Sequence, residues 1–411
     1  MKHNIVFVIN YFHPDFASTS QLLTELCLHL QHDFNITVIA ELHPDADEWK
    51  DKRKRIVYDR LENINIIRIR LPKVDKGNKL SRLRYIAAYF FYANVMVLRQ
   101  KKLSFIYTIS QPPILGGLIG TIGKLFKRAK HIYNIQDFNP EQAEAVGYTK
   151  RKLLFRAARW MDTLNCRWAD HIITVGQDMQ QTLLHRFANL PVTDNSVINN
   201  WTNEQDIVPL TKQHPKVAEF IERNGWKDKF IVMYSGNVGL YYDLENLIRI
   251  TKQLSDIKDL VFVFIGEGAV KRQMQTFVDE NELSQVYFLP FQPFDQLKYS
   301  LNAADVHLVV NQKGIKGVSV PSKIYGVMAA GKAVMGVLES GSEAERLIEE
   351  SQCGVLAEPQ QYEAIERQLR YLHNLSSSEI TAYGARGRAY LEKHLRREQS
   401  LEKYRELLLS M

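Results

Sequence analysis

Lys323 follows Val320-Pro321-Ser322 and opens the run Ile324-Tyr-Gly-Val-Met-Ala-Ala-Gly331, ahead of an apolar stretch from Ala333. This pattern reads as a Pro-Ser turn, a short helix of small residues, a terminating glycine and a strand. Such a helix start offers free N–H groups and a positive dipole end to a phosphate. The dipole disfavours a cation in the first turn, so an anionic partner would account for Lys323. A second loop, Tyr234-Ser235-Gly236-Asn237-Val238-Gly239, lies between a strand and a helix pattern. Gly236 and Gly239 let backbone approach a phosphate closely. Two such loops in one domain predict a diphosphate ligand. The spacing is not GxGxxG, so a nicotinamide dinucleotide lacks its main support.

Five further strand ends carry candidate groups. Ile265-Gly266-Glu267-Gly268 places Glu267 toward a ribose or base, although Gly-Glu-Gly is also an ordinary tight turn. Leu289-Pro-Phe291-Gln-Pro293 offers Phe291 to a base edge. Glu343, in Glu339-Ser-Gly-Ser-Glu343, opens a helix. In the first half, Asn134-Ile-Gln-Asp137-Phe-Asn-Pro-Glu141 puts two carboxylates after a strand, where one can orient or deprotonate an acceptor hydroxyl. Glu141 has a competing reading, since acids favour helix N-termini. His13 sits at the end of the first strand as a polar ligand group or a structural histidine. Ser18, Thr19 and Ser20 offer hydroxyls to an anion or sugar, or simply cap a helix.

These loops need a scaffold. Apolar runs at Ile5–Asn10, Ile36–Ala40, Ile64–Arg70, Phe105–Ser110, His131–Gln136 and His171–Val175 alternate with amphipathic patterns. The second half repeats the rhythm at Phe230–Ser235, Leu260–Ile265, Val286–Leu289, Val306–Val310, Ala333–Leu338 and Gly354–Ala357. Short β-rich runs between helices predict α/β architecture with parallel sheets, one doubly wound sheet per half. At 411 residues two domains are expected, 1–200 and 201–389. The charged tail reads as one helix over 386–411. Its apolar face is Leu391, Leu395, Leu401, Tyr404 and Leu408.

A net charge of +7 favours anionic surroundings. Nucleic acid is not expected, because no recognition module accompanies that charge. Three scattered cysteines, Cys27, Cys166 and Cys353, exclude a disulfide framework and a zinc site and point to a reducing compartment. No ligand cluster for a metal is visible. No signal peptide or spanning helix is expected, which places the chain in the cytoplasm. The aromatic run from Tyr85 to Leu98, with basic flanks across 76–102, has two readings. One is a helix lying on an anionic membrane at the inner face of the plasma membrane; the other is a core helix with solvated ends.

Taken in order, Tyr234-Ser-Gly-Asn-x-Gly239, Gly266-Glu-Gly268, Pro321-Ser-Lys-x-Tyr-Gly-x-Met-Ala-Ala-Gly-Lys332 and Gly341-Ser-Glu343 resemble family 4 glycosyltransferases. The likeness is to the branch that builds bacterial capsules, exopolysaccharides, colanic-acid-like polymers and O-antigens. Gln136-Asp-Phe-Asn-Pro-Glu141 resembles the Asp-x-x-Pro-Glu segment of that branch. The resemblance implies the GT-B fold, two Rossmann-like domains facing a central cleft, with the last helix (about 390–411) crossing back onto the first domain. It also implies a retaining, metal-independent enzyme without a cofactor, taking a nucleotide-diphosphate sugar as donor. UDP is expected from family frequency, and a lipid-linked saccharide is the expected acceptor.

By this mapping Lys323 and Asp137 are the catalytic candidates. Ser235, Gly236, Asn237, Gly239, Gly266, Glu267, Phe291, Pro321, Ser322 and Glu343 face the donor, while His13, Ser18, Thr19 and Glu141 face the acceptor or sugar. There is one departure. Gly326 stands where the family often has its second glutamate, and Val318 where it has the first. Two rival readings follow, a nucleotide-sugar 2-epimerase of the same architecture and a non-catalytic partner subunit of a transferase complex.

Overall fold

The computed structural model describes residues 2–15, 18–42, 54–75, 78–148, 151–187 and 190–411, with backbone only at Ser18 and Lys79. The chain forms two compact units. One comprises Met1–Glu141, Thr149–Ile198 and Leu401–Met411; the other comprises Gln142–Tyr148 and Asn199–Ser400.

The first unit runs β1 (His3–Val8), α1 (Ser18–Leu30), β2 (Phe34–Glu41), β3 (Ile56–Leu61), β4 (Ile64–Ile69), α2 (Lys79–Arg99), β5 (Leu103–Ile109), α3 (Leu115–Lys127) and β6 (Lys130–Ile135). It continues with α4 (Asn139–Ala145), which straddles the boundary, then α5 (Lys152–Trp168), β7 (His171–Thr174), α6 (Gln177–Phe187) and β8 (Asn195–Val197). Its eight strands order as β3-β4-β2-β1-β5-β6-β7-β8. All neighbours are parallel except the β3–β4 hairpin. That hairpin and the three-residue β8 are absent from the sequence reading. β3 alternates Tyr58 and Arg60 outward on an exposed edge, so it lacks the apolar run that marks the inner strands.

Helix α2 packs one face into the core, as its core reading expects, and leaves the other exposed. Tyr89, Ala93, Met96 and Val97 lie in the core with Val6, Val8 and Ile119, while Leu80, Leu83 and Phe91 face solvent. Lys76, in the basic flank, lies outside the described residues. Among the described residues no helix is long and apolar enough to cross a membrane.

The second unit runs α7 (Pro215–Arg223), β9 (Phe230–Ser235), α8 (Leu244–Leu247), α9 (Ile250–Gln253), β10 (Leu260–Ile265), α10 (Lys271–Glu280), β11 (Val286–Leu289), α11 (Phe294–Ala303) and β12 (Val306–Val310). Then come α12 (Lys323–Ala329), β13 (Ala333–Val337), α13 (Glu343–Ser351), β14 (Gly354–Ala357), α14 (Tyr362–Asn374), α15 (Ser377–His394) and α16 (Arg397–Ser410). Its sheet is fully parallel in the order β11-β10-β9-β12-β13-β14. The order reverses between β9 and β12, and ligands of such sheets bind beyond the strand C-termini at that point.

The single tail helix expected from sequence is two helices. Leu391 and Leu395 are buried in the second unit's core, whereas Leu401, Tyr404 and Leu408 are buried after the break. Tyr404 lies in the first unit's interior, where its hydroxyl oxygen accepts from Asn134 Nδ2 at 2.7 Å. Arg405 pairs with Asp33 at 2.7 Å. A straight helix cannot bury both sets against different cores, and the chain breaks at Leu395–Arg396, where φ and ψ of Leu395 are −131° and 22°.

Candidate active site

In the second unit the loops after β9, β10 and β11 are locked together by their glycines. Gly236 (φ +147°) donates its N–H to Ile265 O at 2.9 Å, and Gly266 (φ +140°) donates to Leu289 O at 3.0 Å. A Cβ on Gly266 would stand 1.9 Å from Gly236 O and 3.3 Å from the Phe291 ring. Only glycine allows this approach. Gly239 is buried, while Asn237 and Glu267 are exposed and Ser235 is half-buried. Phe291 is 54% exposed, a bare aromatic face beside Gly266. Lys271 at the start of α10 holds the middle loop, with Nζ 2.9 Å from Gly266 O and 2.6 Å from Glu267 Oε1.

Lys323 enters this cluster across the switch point between β9 and β12. Its Cε lies 3.1 Å, and its Nζ 3.7 Å, from the position a Gly236 Cβ would take. The ammonium sits over the rings of Tyr242 (4.1 Å) and Tyr234 (4.8 Å). Among the described residues no carboxylate pairs with it. Burial pulls its pKa from the usual 10.5 down to about 7. Two ring faces attract a cation only weakly compared with a carboxylate or phosphate. An amine so lightly compensated, on a half-buried lysine, is poised to take an anion.

Local sequence explains how Lys323 gets there. Helix α12 buries Ile324, Tyr325, Val327, Met328 and Ala329, and Gly331 (φ +62°) ends it by donating to Met328 O at 3.0 Å. Pro321 is buried and Ser322 is exposed, with no side-chain cap bond at Ser322. The helix has only seven residues, so its dipole is a small part of the site. The lysine carries more. Gly326 points no side chain anywhere, and a Cβ there would meet only Leu301 Cδ1 at an ordinary 3.8 Å.

Glu343 stands apart from an open ligand position. It is 1% exposed, and its Oε1 accepts from Asn199 (2.8 Å) and Arg346 (2.7 Å). Its neighbour Glu339 has a different task. Glu339 Oε2 accepts three successive backbone N–H groups, from Gly314 (2.8 Å), Ile315 (3.0 Å) and Lys316 (3.0 Å). This shapes the loop that leads into Pro321-Ser322-Lys323. Sequence reasoning missed Tyr242, Lys271 and Glu339, although Tyr242 and Lys271 each stand within a few residues of a motif.

In the first unit the sheet order reverses between β1 and β5, and candidate groups follow the strands around that point. Ser110, after β5, is a hub the sequence reading missed. Its Oγ accepts from the N–H of Gln136 (3.1 Å) and Asp137 (3.2 Å), and its carbonyl accepts from Asn139 Nδ2 (2.7 Å). These bonds hold the half-buried Asp137 at the end of β6. His13 is anchored by its backbone, with Arg68 Nη2 2.7 Å from His13 O and His13 N 3.3 Å from Thr24 Oγ1, leaving its ring exposed. Thr19 is half-buried in the first turn of α1, and the Ser18 side chain lies outside the described residues.

Glu141 is committed elsewhere. Arg186 grips it with Nε at 3.1 Å and Nη2 at 2.5 Å while reaching Asp162 with Nη1 at 2.5 Å. Burial would lower the guanidinium pKa, but the two carboxylates outweigh burial and raise it. That ion triad explains Glu141 as structure.

A cavity of about 590 Å³ in this unit is lined by Lys130, Asp170, His171, Asp194 and Met411. It sits where β6, β7 and β8 begin, the edge opposite the strand C-termini, so it is not the switch-point site. Among the described residues no group of three or more His, Cys, Asp or Glu is placed to hold a metal ion.

Residues 216–388, which contain every one of these second-unit loops, match the family described as Glycosyl transferases group 1. The chain is a glycosyltransferase. Its resemblance to family 4 is borne out by two relatives. WbjE of Pseudomonas aeruginosa, named as a glycosyltransferase, is 26% identical over 337 residues, covering 82% of each chain. WcaI of Escherichia coli K12, named as a colanic acid biosynthesis glycosyl transferase, is 30% identical over 178 residues, 43% of this chain and 42% of WcaI. Solved structures show the fold. Sucrose-phosphate synthase from Thermosynechococcus elongatus matches with a TM-score of 0.76 at 15% identity over 100% of both chains. HepE of Anabaena, in complex with UDP and glucose, matches at 0.73 and 14% identity over 99% of both. This glycosyltransferase has the GT-B fold.

Proposed function

We propose that this glycosyltransferase moves a sugar from a nucleotide-diphosphate sugar, a UDP-sugar, to a lipid-linked saccharide in surface polysaccharide synthesis. The observation that carries the reading is Lys323, a half-buried lysine without a carboxylate among the described residues, lodged against Gly236 between Tyr234 and Tyr242. A diphosphate bound over Gly236 would supply the missing negative charge. The name of WcaI, a colanic acid biosynthesis glycosyl transferase, supports a polysaccharide role, and UDP in HepE supports the donor.

In the proposed reaction the acceptor hydroxyl oxygen bonds to the anomeric carbon as the bond from that carbon to the phosphate oxygen breaks. The departing oxygen takes the hydroxyl proton, and the configuration at the anomeric carbon is retained. Lys323 stabilises the charge that grows on the leaving diphosphate, a role a metal ion fills in other enzymes. Asp137, held by Ser110, orients the acceptor. Gly266, Glu267 and Phe291 lie toward the nucleoside. Peripheral contact between the 76–102 segment and an anionic membrane at the cytoplasmic face would bring the enzyme to its acceptor.

A thermal-shift titration with UDP, GDP, ADP and dTDP in EDTA tests the donor. A ligand bound only by the native state raises Tm with the logarithm of its concentration over Kd. A shift with UDP in EDTA that disappears in Lys323→Ala is expected. No shift with any diphosphate would sink the proposal.

A further inference from the structure

Helix α5 buries polar groups and exposes large apolar ones. Its inward side buries Asp162, Asn165 and Cys166 with Phe155, and its outward side exposes Leu153 (77%), Trp160 (64%) and Trp168 (47%). Scattered surface hydrophobics are normal, but large ones grouped on one helix mark an interaction face.

Two lysines tie the end of this helix to its neighbours. Lys124 Nζ donates to Trp168 O at 2.9 Å and pairs with Asp170 at 2.9 Å. Lys127 Nζ donates to Leu98 O at 3.1 Å. The C-terminal ends of α2, α3 and α5 therefore meet at one edge of the first unit. Leu98, Leu125 and Phe126 are exposed there together with Trp168. The same edge is basic, with Arg99, Lys101, Lys102, Arg128 and Arg167 all exposed. From Lys76 through Gln136 the chain has no Asp or Glu, while Lys and Arg occur eleven times. Of the acids on α5 and just beyond it, Asp162 is buried against Arg186 and Asp170 is paired with Lys124.

We infer that the outward face of α5, with the joined ends of α3 and α2, is a docking surface for an anionic lipid bilayer. Indole and phenyl rings settle at the level of the headgroups, and each nearby Lys or Arg adds attraction to anionic lipid. A protein partner would favour an apolar centre depleted of charge. Here Trp160 and Trp168 stand among arginines at 156, 159 and 167. The inference extends the membrane contact beyond the 76–102 segment to α3 and α5, and it rests on the lipid-linked acceptor reading only for its purpose. Binding can be measured without any acceptor.

The test is flotation of the full chain with vesicles of phosphatidylethanolamine containing one-third phosphatidylglycerol, beside vesicles of phosphatidylcholine alone. Binding to the anionic vesicles, weakened by salt and accompanied by a blue shift of tryptophan emission, is expected. The pair Trp160→Ser and Trp168→Ser should weaken it about tenfold or more, as should Arg99→Glu with Lys101→Glu and Lys102→Glu. The second set replaces only exposed side chains and keeps the test open should the tryptophan variant fold poorly. An unchanged UDP thermal shift in each variant certifies folding. Equal binding to neutral vesicles would overturn the inference, and so would undiminished binding by both folded variants. A wild-type dimer that becomes monomeric in the tryptophan variant, with vesicle binding unaltered, would overturn it in favour of a self-association face. Absence of vesicle binding alongside a UDP shift would end this inference and leave the donor reading intact; the reverse pattern would do the opposite.

Discussion

The Nζ of Lys323 lies 4.1 Å from the centre of the Tyr242 ring. That contact puts a lysine where it is half-protonated near neutral pH, since burial sets its pKa at about 7. Ordinary surface lysines remain charged far above this range.

Donor binding should therefore depend on pH in a definite direction. Binding a diphosphate requires the ammonium form, so binding takes up a proton whenever pH exceeds about 7. UDP affinity should fall between pH 7.5 and 9, approaching about tenfold per unit. Calorimetric titration in buffers of different ionisation enthalpy would read both the affinity and the proton uptake. Lys323→Arg should flatten the profile, because a guanidinium stays charged throughout.

Stability should move the opposite way. Between about 7 and 10.5 the unfolded chain holds this proton and the folded chain has released it. Stability from this group thus rises with pH across that window and is lowest below it. Lys323→Met should raise Tm at pH 7 by a few degrees, about 1 kcal/mol. That advantage should shrink toward pH 10 in melts followed by circular dichroism.

Gly266→Ala should disable the donor loops. The new Cβ would stand 1.9 Å from Gly236 O, at a residue with φ of +140°. We expect loss of the UDP shift and a cost on the order of 2 kcal/mol or more in urea unfolding. Gly326→Glu makes a contrast: its Cβ has room at 3.8 Å from Leu301, and replacing a helical glycine should stabilise by about 0.5–1 kcal/mol.

Glu339→Gln should leave one acceptor oxygen for the three N–H groups at 314–316, and Glu339→Ala none. Of the three only Ile315 is buried, and leaving its donor unmet costs about 1–3 kcal/mol. Donor KM should rise more steeply in the alanine variant, with rescue in the order Asp, Gln, Ala. Equal KM in all of them would show that the loop keeps its shape without the carboxylate.

Asp137 and Glu141, four residues apart, should part company on mutation. Glu141→Ala leaves Arg186 and Asp162 partly unpaired in a buried site and should cost about 3 kcal/mol. Its activity per folded molecule should persist. Asp137→Asn should keep its Tm and lose acceptor transfer more than donor hydrolysis, measured as released free sugar against transferred sugar.

The legible part of this protein lay in short-range patterns. Each apolar run named from sequence is a strand, because inner parallel strands are buried on both faces and leave no room for polar alternation. β3 escaped notice for the same reason in reverse: on an exposed edge Asp59 and Arg60 break the run. The glycine-rich loops were visible because glycine positions are dictated by backbone approach, as at Gly236 and Gly266. Glu141 and Glu343 were read as ligand groups because the residues that claim them, Arg186 and Asn199, are far away in sequence.

By itself, then, the sequence determined the α/β class, the strand set and the ordered motifs that mark a glycosyltransferase. All of these rest on interactions within a few residues or on steric limits local to one backbone position. Tertiary structure alone decided which charges are spent and which are held ready. Lys323 meets Tyr234 and Tyr242 only because β9 and β12 are neighbours in the sheet. Charge compensation depends on distance in space, and chain order says little about that until the sheet is assembled.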